Sequence, residues 1–140
     1  MKILPYTRKI QFYETDQMGV IHHSNYVRWL EEARVDYMEQ MGYTYEKVND
    51  SHIDFALLSV YCEYKSPCRF GETVKIHLKI ESVETARMAL SYKIVDAETG
   101  MLRTIAETKH CYFHNVRQRP VSLKKELPEL YEMFVQQKNS

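Results

Sequence analysis

The spacing of apolar residues marks one long helix in the first third of the chain. From Asn25 to Met41 apolar side chains recur every three or four residues, so they fall on one stripe of a helix. The stripe consists of Tyr26, Leu30, Ala33, Tyr37 and Met41. Ser24 or Asn25 suits the N-cap, and Gly42 suits the left-handed residue that ends many helices. The pattern predicts a helix of roughly 16 residues.

The rest of the chain alternates as strands do. Residues 6–14 place aromatic and β-branched side chains on alternate positions, which favours a first strand. Four later runs have the same character: Phe55–Tyr64, Thr73–Ser82, Arg87–Val95 and Leu102–Phe113. Turn-forming residues occupy 96–100 and 69–72, between neighbouring runs. Residues 128–137 return to helical spacing and predict a short C-terminal helix.

This order of elements predicts an α+β fold. The apolar stripe of the long helix must be covered, and a strongly twisted antiparallel sheet is the partner that the remaining elements can form. A chain of 140 residues fits one domain, so we expect residues 1–140 to form a single unit of five strands wrapped around one helix.

Charge and cysteine content argue against several classes of function and location. Lys plus Arg equals Asp plus Glu at 19 each, so no net charge attracts nucleic acid or an anionic membrane. No segment reaches the roughly 18 apolar residues that a membrane helix needs. The three cysteines form no Cys-x-x-Cys pair and no secretory signal is recognisable, so the sequence predicts a cytoplasmic protein.

Candidate chemistry lies in residues 13–26, between the first strand and the long helix. This segment holds Asp16, Gly19, His22 and His23 beside the predicted helix start. A helix N-terminus offers unpaired backbone N–H groups and partial positive charge, which can polarise a carbonyl and hold an oxyanion. A nearby carboxylate can then act as the nucleophile or as the general base on water.

The same segment resembles a known family. The signature of the 4-hydroxybenzoyl-CoA thioesterase-like acyl-CoA thioesterases is matched at seven positions: Asp16, Gly19, His23, Asn25, Tyr26, Glu31 and Arg34. Tyr64-x-x-Pro67-x-Arg69-Phe70-Gly71-Glu72 is a second similar segment. The resemblance covers nearly the whole chain and implies the hotdog fold, in which a five-stranded antiparallel sheet wraps a central helix. It also implies hydrolysis of an acyl-CoA thioester to a free acid and coenzyme A.

The resemblance assigns a role to each matching position. Asp16 corresponds to the catalytic carboxylate, and His23 to the histidine that helps place the thioester or the carboxylate. Asn25 and Tyr26 correspond to residues that shape the site and lock the helix start. Gly19 and Glu31 correspond to positions that help to place the substrate. Glu31, one turn into the helix, corresponds to an acidic residue that orients the site from the side away from the substrate. His22 stands where the family often has an aromatic residue, which leaves open which histidine faces the substrate.

Coenzyme A carries phosphates, which require cations. By resemblance Arg87 is the first candidate for contacting them. Lys65, Arg117 and Arg119 are the alternatives. No separate cofactor is expected, because coenzyme A is part of the substrate. Adjacent histidines usually point apart and no further ligand lies at suitable spacing, so no metal is expected either.

The resemblance also implies partners. A five-stranded sheet leaves an open edge, and such edges are normally paired, so we expect a homodimer or homotetramer with sites at the subunit interface. Two alternatives stay open: a hotdog dehydratase acting on acyl-carrier-protein thioesters, and a non-catalytic acyl-CoA-binding module. Neither a His-Phe-Pro type loop nor a further regulatory domain is visible in the sequence. An acyl-carrier-protein thioester remains an alternative substrate for a thioesterase.

Overall fold

An antiparallel sheet curls around one helix in the computed structural model, which describes all 140 residues. The main elements are β1 (Tyr6–Lys9), α1 (Ser24–Met41), β2 (Ile53–Tyr64), β3 (Thr73–Val83), β4 (Arg87–Asp96) and β5 (Leu102–His114). Shorter elements are α2 (Tyr45–Asn49), β6 (Arg119–Pro120), α3 (Leu123–Glu126) and α4 (Pro128–Asn139). None of these helices combines the length and the apolar composition that a bilayer crossing requires.

The strand order confirms the predicted hotdog fold. Hydrogen bonding joins the strands in the order β1-β3-β4-β5-β2, every neighbouring pair is antiparallel, and the two-residue β6 adds to β5. The two edges of the sheet are therefore β1 and β2. Both ends of β2 matter for the site, because β2 begins beside the end of β5 and finishes at Tyr64.

The predicted stripe of α1 forms the centre of the core. All five of its residues are buried, and Trp29 and Met38 on the same helix join them. Along β4 the side chains alternate between buried and more exposed positions, so one face of the sheet covers the helix. Gly42 ends α1 with a φ of 81°, as its position predicted.

Two local predictions were wrong. The first strand stops at Lys9 rather than at residue 14, because residues 12–14 turn into a 3-10 helix. Ser24 and Asn25 do not cap α1: His23 is the N-cap residue and both lie inside the helix. In addition, the segment between α1 and β2 contains the short helix α2, whose N-cap Thr44 accepts a hydrogen bond from the Lys47 N–H.

Candidate active site

Asp16 lies at the tip of a tight hairpin between β1 and α1. The hairpin closes through a bridge between Thr15 and Ile21 and a 2.8 Å hydrogen bond from the Asp16 N–H to the Val20 carbonyl. Gly19 makes the turn with a φ of 77°, a conformation that favours glycine. The Asp16 side chain is exposed, and only its Oδ1 accepts hydrogen bonds, the shorter being 2.8 Å from the Met18 N–H. Oδ2 is therefore free to react.

A groove of about 330 Å³ runs past this carboxylate. Three segments form its walls: the hairpin, the first turn of α1, and the chain that leaves β2. The lining residues are Asp16, Val20, Ile21, His22, His23, Tyr26, Tyr64, Lys65, Ser66 and Pro67. The groove thus brings Asp16, both histidines and Tyr26, which are close in sequence, together with the distant Lys65.

One backbone donor at the start of α1 is unused. The Ser24 N–H donates to His22 Nδ1 at 3.2 Å, the Asn25 N–H to the His22 carbonyl at 3.0 Å, and the Tyr26 N–H to the His23 carbonyl at 3.2 Å. The His23 N–H has no partner within the chain. Since the helix dipole is positive at this end, that N–H is a suitable donor for a carbonyl oxygen in the groove.

The two histidines have different surroundings. His22, the residue before the N-cap His23, accepts the Ser24 N–H at its Nδ1, so its imidazole satisfies one of the free N–H groups of the first turn. The His23 ring makes no hydrogen bond and stacks on His22 with the ring centres 4.2 Å apart. Both are exposed and both line the groove. No group of three His, Cys, Asp or Glu side chains is placed to hold a metal ion.

Asn25 and Tyr26 fasten the helix start to its surroundings. The buried Asn25 side chain donates from Nδ2 to the Glu14 carbonyl at 3.0 Å, which ties the first turn of α1 to the base of the hairpin. The Tyr26 ring is buried between Trp29 and Tyr64, with ring centres 5.1 and 4.9 Å away. Burial raises the pKa of the Tyr26 hydroxyl, so it stays protonated at neutral pH.

A buried carboxylate sits two residues before Asp16. Glu14 is 2% exposed, and its Oε1 accepts from Arg8 Nη1 at 2.6 Å and from the Gln11 N–H at 2.9 Å. Its Oε2 accepts from Trp29 Nε1 at 2.8 Å. Burial by itself would raise the pKa of Glu14, but these three hydrogen bonds outweigh it and the pKa lies below its ordinary value. The carboxyl is therefore ionised at neutral pH.

A half-buried cluster of one arginine and two carboxylates holds the opposite wall of the groove. Arg103 donates from Nη1 to the Pro67 carbonyl at 3.1 Å and from Nη2 to Glu72 at 2.8 Å and Asp96 at 3.2 Å. The Lys65 N–H donates to the Arg103 carbonyl at 2.8 Å. Sequence reasoning missed Arg8, Glu14 and Arg103 as parts of the site. The one available signal was the position of Glu14 and Glu72 inside the two family-like segments.

Glu31 is not in this groove. It is exposed on the outer face of α1, in a separate depression with Arg28, Glu32, Val35 and other residues of that face. It makes no hydrogen bond within the chain. Within one chain, therefore, Glu31 lies apart from Asp16, and its predicted role stays a prediction.

The candidate phosphate-binding cations are divided between two places. Lys65 lines the groove, with its Nζ 2.5 Å from Glu63 Oε1. Arg87, Arg117 and Arg119 lie at the other end of the sheet, near the start of β2. The length of β2 separates the two groups by roughly 35 Å. Arg117 pairs with Glu126.

Comparison with known proteins agrees with this architecture. The sequence model of the thioesterase-like superfamily matches residues 10–133. A 1,4-dihydroxy-2-naphthoyl-CoA hydrolase of Prochlorococcus marinus (strain NATL2A) is 27% identical over 128 residues, which cover 86% of this chain and 81% of the relative.

Two solved structures are similar over nearly their whole length. A crystal structure of a hypothetical protein from Aquifex aeolicus is 37% identical, with a TM-score of 0.83 over 91% of this chain and 98% of that one. The DHNA-CoA thioesterase from Staphylococcus aureus is 28% identical, with a TM-score of 0.90 over 95% of this chain and 89% of its own. The chain therefore belongs to the thioesterase-like superfamily and is a thioester hydrolase with the hotdog fold.

Proposed function

We propose that the protein hydrolyses acyl-CoA thioesters and that Asp16 is the catalytic carboxylate. One observation carries the proposal: Asp16 and His23 both line the groove at the positive end of α1, and the His23 N–H has no partner within the chain. A thioester carbonyl that accepts from this N–H becomes more electrophilic, and Asp16 supplies a carboxylate to the same groove. The names of the Prochlorococcus and Staphylococcus relatives, both acting on a CoA thioester, support this substrate class.

The reaction follows from these groups. Either Oδ2 of Asp16 or a water molecule deprotonated by it attacks the carbonyl carbon, and the His23 N–H stabilises the oxyanion that forms. The carbon–sulfur bond then breaks and coenzyme A leaves as the thiolate, which takes up a proton. After direct attack, water hydrolyses the mixed anhydride and regenerates Asp16. Both routes consume one water and release one acid and one thiol.

A panel of thioesters tests the substrate class. Acetyl-, hexanoyl-, palmitoyl-, benzoyl- and phenylacetyl-CoA, each with an acyl-carrier-protein counterpart where one can be made, are incubated with the protein and a thiol-reactive dye. We expect catalytic thiol release from at least one CoA thioester. Binding of CoA thioesters without thiol release would favour a non-catalytic binding module, and release from carrier-protein thioesters alone would replace CoA as the substrate.

We also propose that two copies pair along β2. The edge strand β2 exposes Leu57, Leu58, Val60, Tyr61 and Tyr64 as well as its unpaired backbone groups. An exposed apolar edge of this length is unusual in a monomer, and a second copy can cover it by continuing the sheet. Two-fold symmetry makes the two β2 strands antiparallel, so the start of one β2 lies near the end of the other.

Such pairing would assemble the phosphate site. In a pair centred on the exposed run 57–61, the end of β2 with Lys65 and the Asp16 groove lies beside the partner's end that carries Arg87, Arg117 and Arg119. The distance of roughly 35 Å within one chain is then bridged by the second copy. Among the three arginines, Arg117 already pairs with Glu126, which leaves Arg87 and Arg119 for the phosphates; Lys65, on the groove side, would have to exchange its pairing with Glu63 for a phosphate.

Loss of a phosphate-binding cation should affect binding more than chemistry. We expect Lys65→Gln and Arg119→Gln each to raise KM about 5- to 30-fold with kcat changed less than threefold, since one charge-assisted hydrogen bond contributes about 1–2 kcal/mol. Steady-state kinetics with the best CoA thioester measures this. Lys138→Gln, near the C-terminus, is the matched control and should leave KM unchanged. Unaltered KM in both test variants would contradict the proposed phosphate site.

A further inference from the structure

The hairpin that carries Asp16 is attached to the fold on two sides. On one side Ile21 donates its N–H to the Cys68 carbonyl at 3.0 Å and Val20 bridges to Arg69. On the side of β1 and α1 the attachment is made by Glu14. The Glu14 carbonyl accepts from the His22 N–H at 3.0 Å, which is the last rung of the hairpin, and from Asn25 Nδ2 at 3.0 Å. The Glu14 carboxylate accepts from Arg8 in β1 and from Trp29 in α1. Glu14 therefore connects the strand before the hairpin, the helix after it and the residues next to the His23 N–H.

Short hydrogen bonds hold Arg8, the partner of Glu14 in β1, on its other side as well. Arg8 is held on its other side by Glu32, with Nε 2.6 Å from Oε1, and its guanidinium lies 5.1 Å from the centre of the Trp29 ring. Tyr6 also donates to Glu32, at 3.0 Å. A chain of charge-assisted hydrogen bonds thus runs from β1 through Glu14 to α1. A displacement that separated two partners would leave a buried charge unpaired. Because this is energetically costly, the network resists small displacements.

We propose that Glu14 is the positioning residue of this active site, setting the distance between the Asp16 carboxylate and the His23 N–H. The inference rests on the proposed function. Glu14 is not one of the residues that line the groove. It can therefore act on the reaction only indirectly, through the backbone of Asp16 and His22. The reaction needs the carboxylate and the carbonyl donor in a fixed relation, and a displacement of about 1 Å can cost about 10²-fold in rate.

Glu14→Gln tests this role with the smallest change of shape. A carboxylamide has one acceptor oxygen, so it cannot serve Arg8 and Gln11 on one side and Trp29 on the other as the carboxylate does. We expect kcat for CoA-thioester hydrolysis to fall about 10- to 100-fold while KM changes less than threefold. A loss of folded protein alone would also lower the apparent kcat at unchanged KM, so the folded fraction of each variant is measured by circular dichroism and kcat is calculated per folded enzyme.

Tyr92→Phe is the matched control. Tyr92 is 2% exposed, accepts from Arg34 Nη1 at 3.2 Å and shares a 2.6 Å hydrogen bond with Thr108, away from the hairpin. Its removal disturbs a buried polar network of similar size, so both variants are assayed well below their measured Tm values. We expect Tyr92→Phe to keep kcat within twofold. A second test variant, Trp29→Phe, removes the donor to Glu14 Oε2 together with part of the buried ring that contacts Arg8 and Tyr26, and should lower kcat about 3- to 10-fold.

Each outcome decides the question. Glu14→Gln, or Trp29→Phe where Glu14→Gln does not fold, with kcat within twofold of the wild type overturns the positioning role, as does an equal loss in Tyr92→Phe. Asp16→Asn is measured beside them. If Asp16→Asn is inactive and Glu14→Gln is fully active, only this inference fails. If Asp16→Asn is fully active, the proposed function and the inference fail together.

Discussion

Asp16→Asn is expected to lower kcat for thioester hydrolysis by at least about 10³-fold. The substitution keeps the size and shape of the side chain, and the amide oxygen can still accept from the Met18 N–H, so the hairpin turn should survive. It removes the only carboxylate in the groove, and with it both the nucleophile and the general base. General-base or nucleophilic groups commonly contribute about 10²–10⁴-fold or more to rate. Thiol release with the best substrate of the panel measures the effect.

Binding and folding serve as the controls for this variant. The substitution leaves the proposed phosphate-binding cations and the His23 N–H unchanged. The Kd for coenzyme A should therefore change less than threefold and the Tm by no more than about 2 °C. Asp50→Asn makes the same chemical change at an exposed position after α2 and should be fully active. Near-wild-type hydrolysis by Asp16→Asn would exclude the proposed mechanism.

A charged pair on β2 is expected to separate the subunits and remove activity. Leu58 and Val60 are 48% and 38% exposed on the free edge of the sheet. In a two-fold pair centred near residue 59, Leu58 of one copy lies opposite Val60 of the other, so Leu58→Glu/Val60→Glu brings four carboxylates together. Like charges at an interface cost several kcal/mol, which weakens association by at least about 10³-fold. We expect a monomer at micromolar concentration and thiol release reduced at least about 100-fold.

Light scattering and activity across a range of protein concentrations measure both effects. Leu4→Glu is the matched control, because Leu4 is 60% exposed and precedes β1 at the opposite edge of the sheet. It should leave the assembly and the rate unchanged. A double variant that stays dimeric, or one that becomes monomeric with full activity, would contradict a site shared between two copies.

Local pattern predicted the elements that depend on near neighbours in sequence. The α1 stripe, its end at Gly42 and the four later strands follow from periods of 3.6 and 2, and the structure confirms them within a few residues. The start of α1 was harder. Ser24 and Asn25 were the predicted N-caps, but His23 is the N-cap residue and the His22 imidazole accepts the Ser24 N–H.

The candidate site was partly visible in the sequence for the same reason. Asp16, Gly19 and His23 lie within eight residues of each other, so a turn followed by a helix start is enough to bring them to one groove. The groove wall around Lys65 was recognised only as a second family-like segment. Its approach to Asp16 depends on β2 ending beside the hairpin, which no local pattern encodes.

By itself, the sequence determined a helix with one apolar stripe, strands long enough to wrap it and a carboxylate next to the helix start. Those features depend on residue spacing and turn chemistry, which act over a few residues. Only the tertiary structure decided that Arg8 and Trp29 meet at Glu14, that Arg103 holds Pro67, and that Arg87 lies at the far end of the sheet from Asp16. Such contacts join distant parts of the chain, because strand order and register are set by the packing of the whole core.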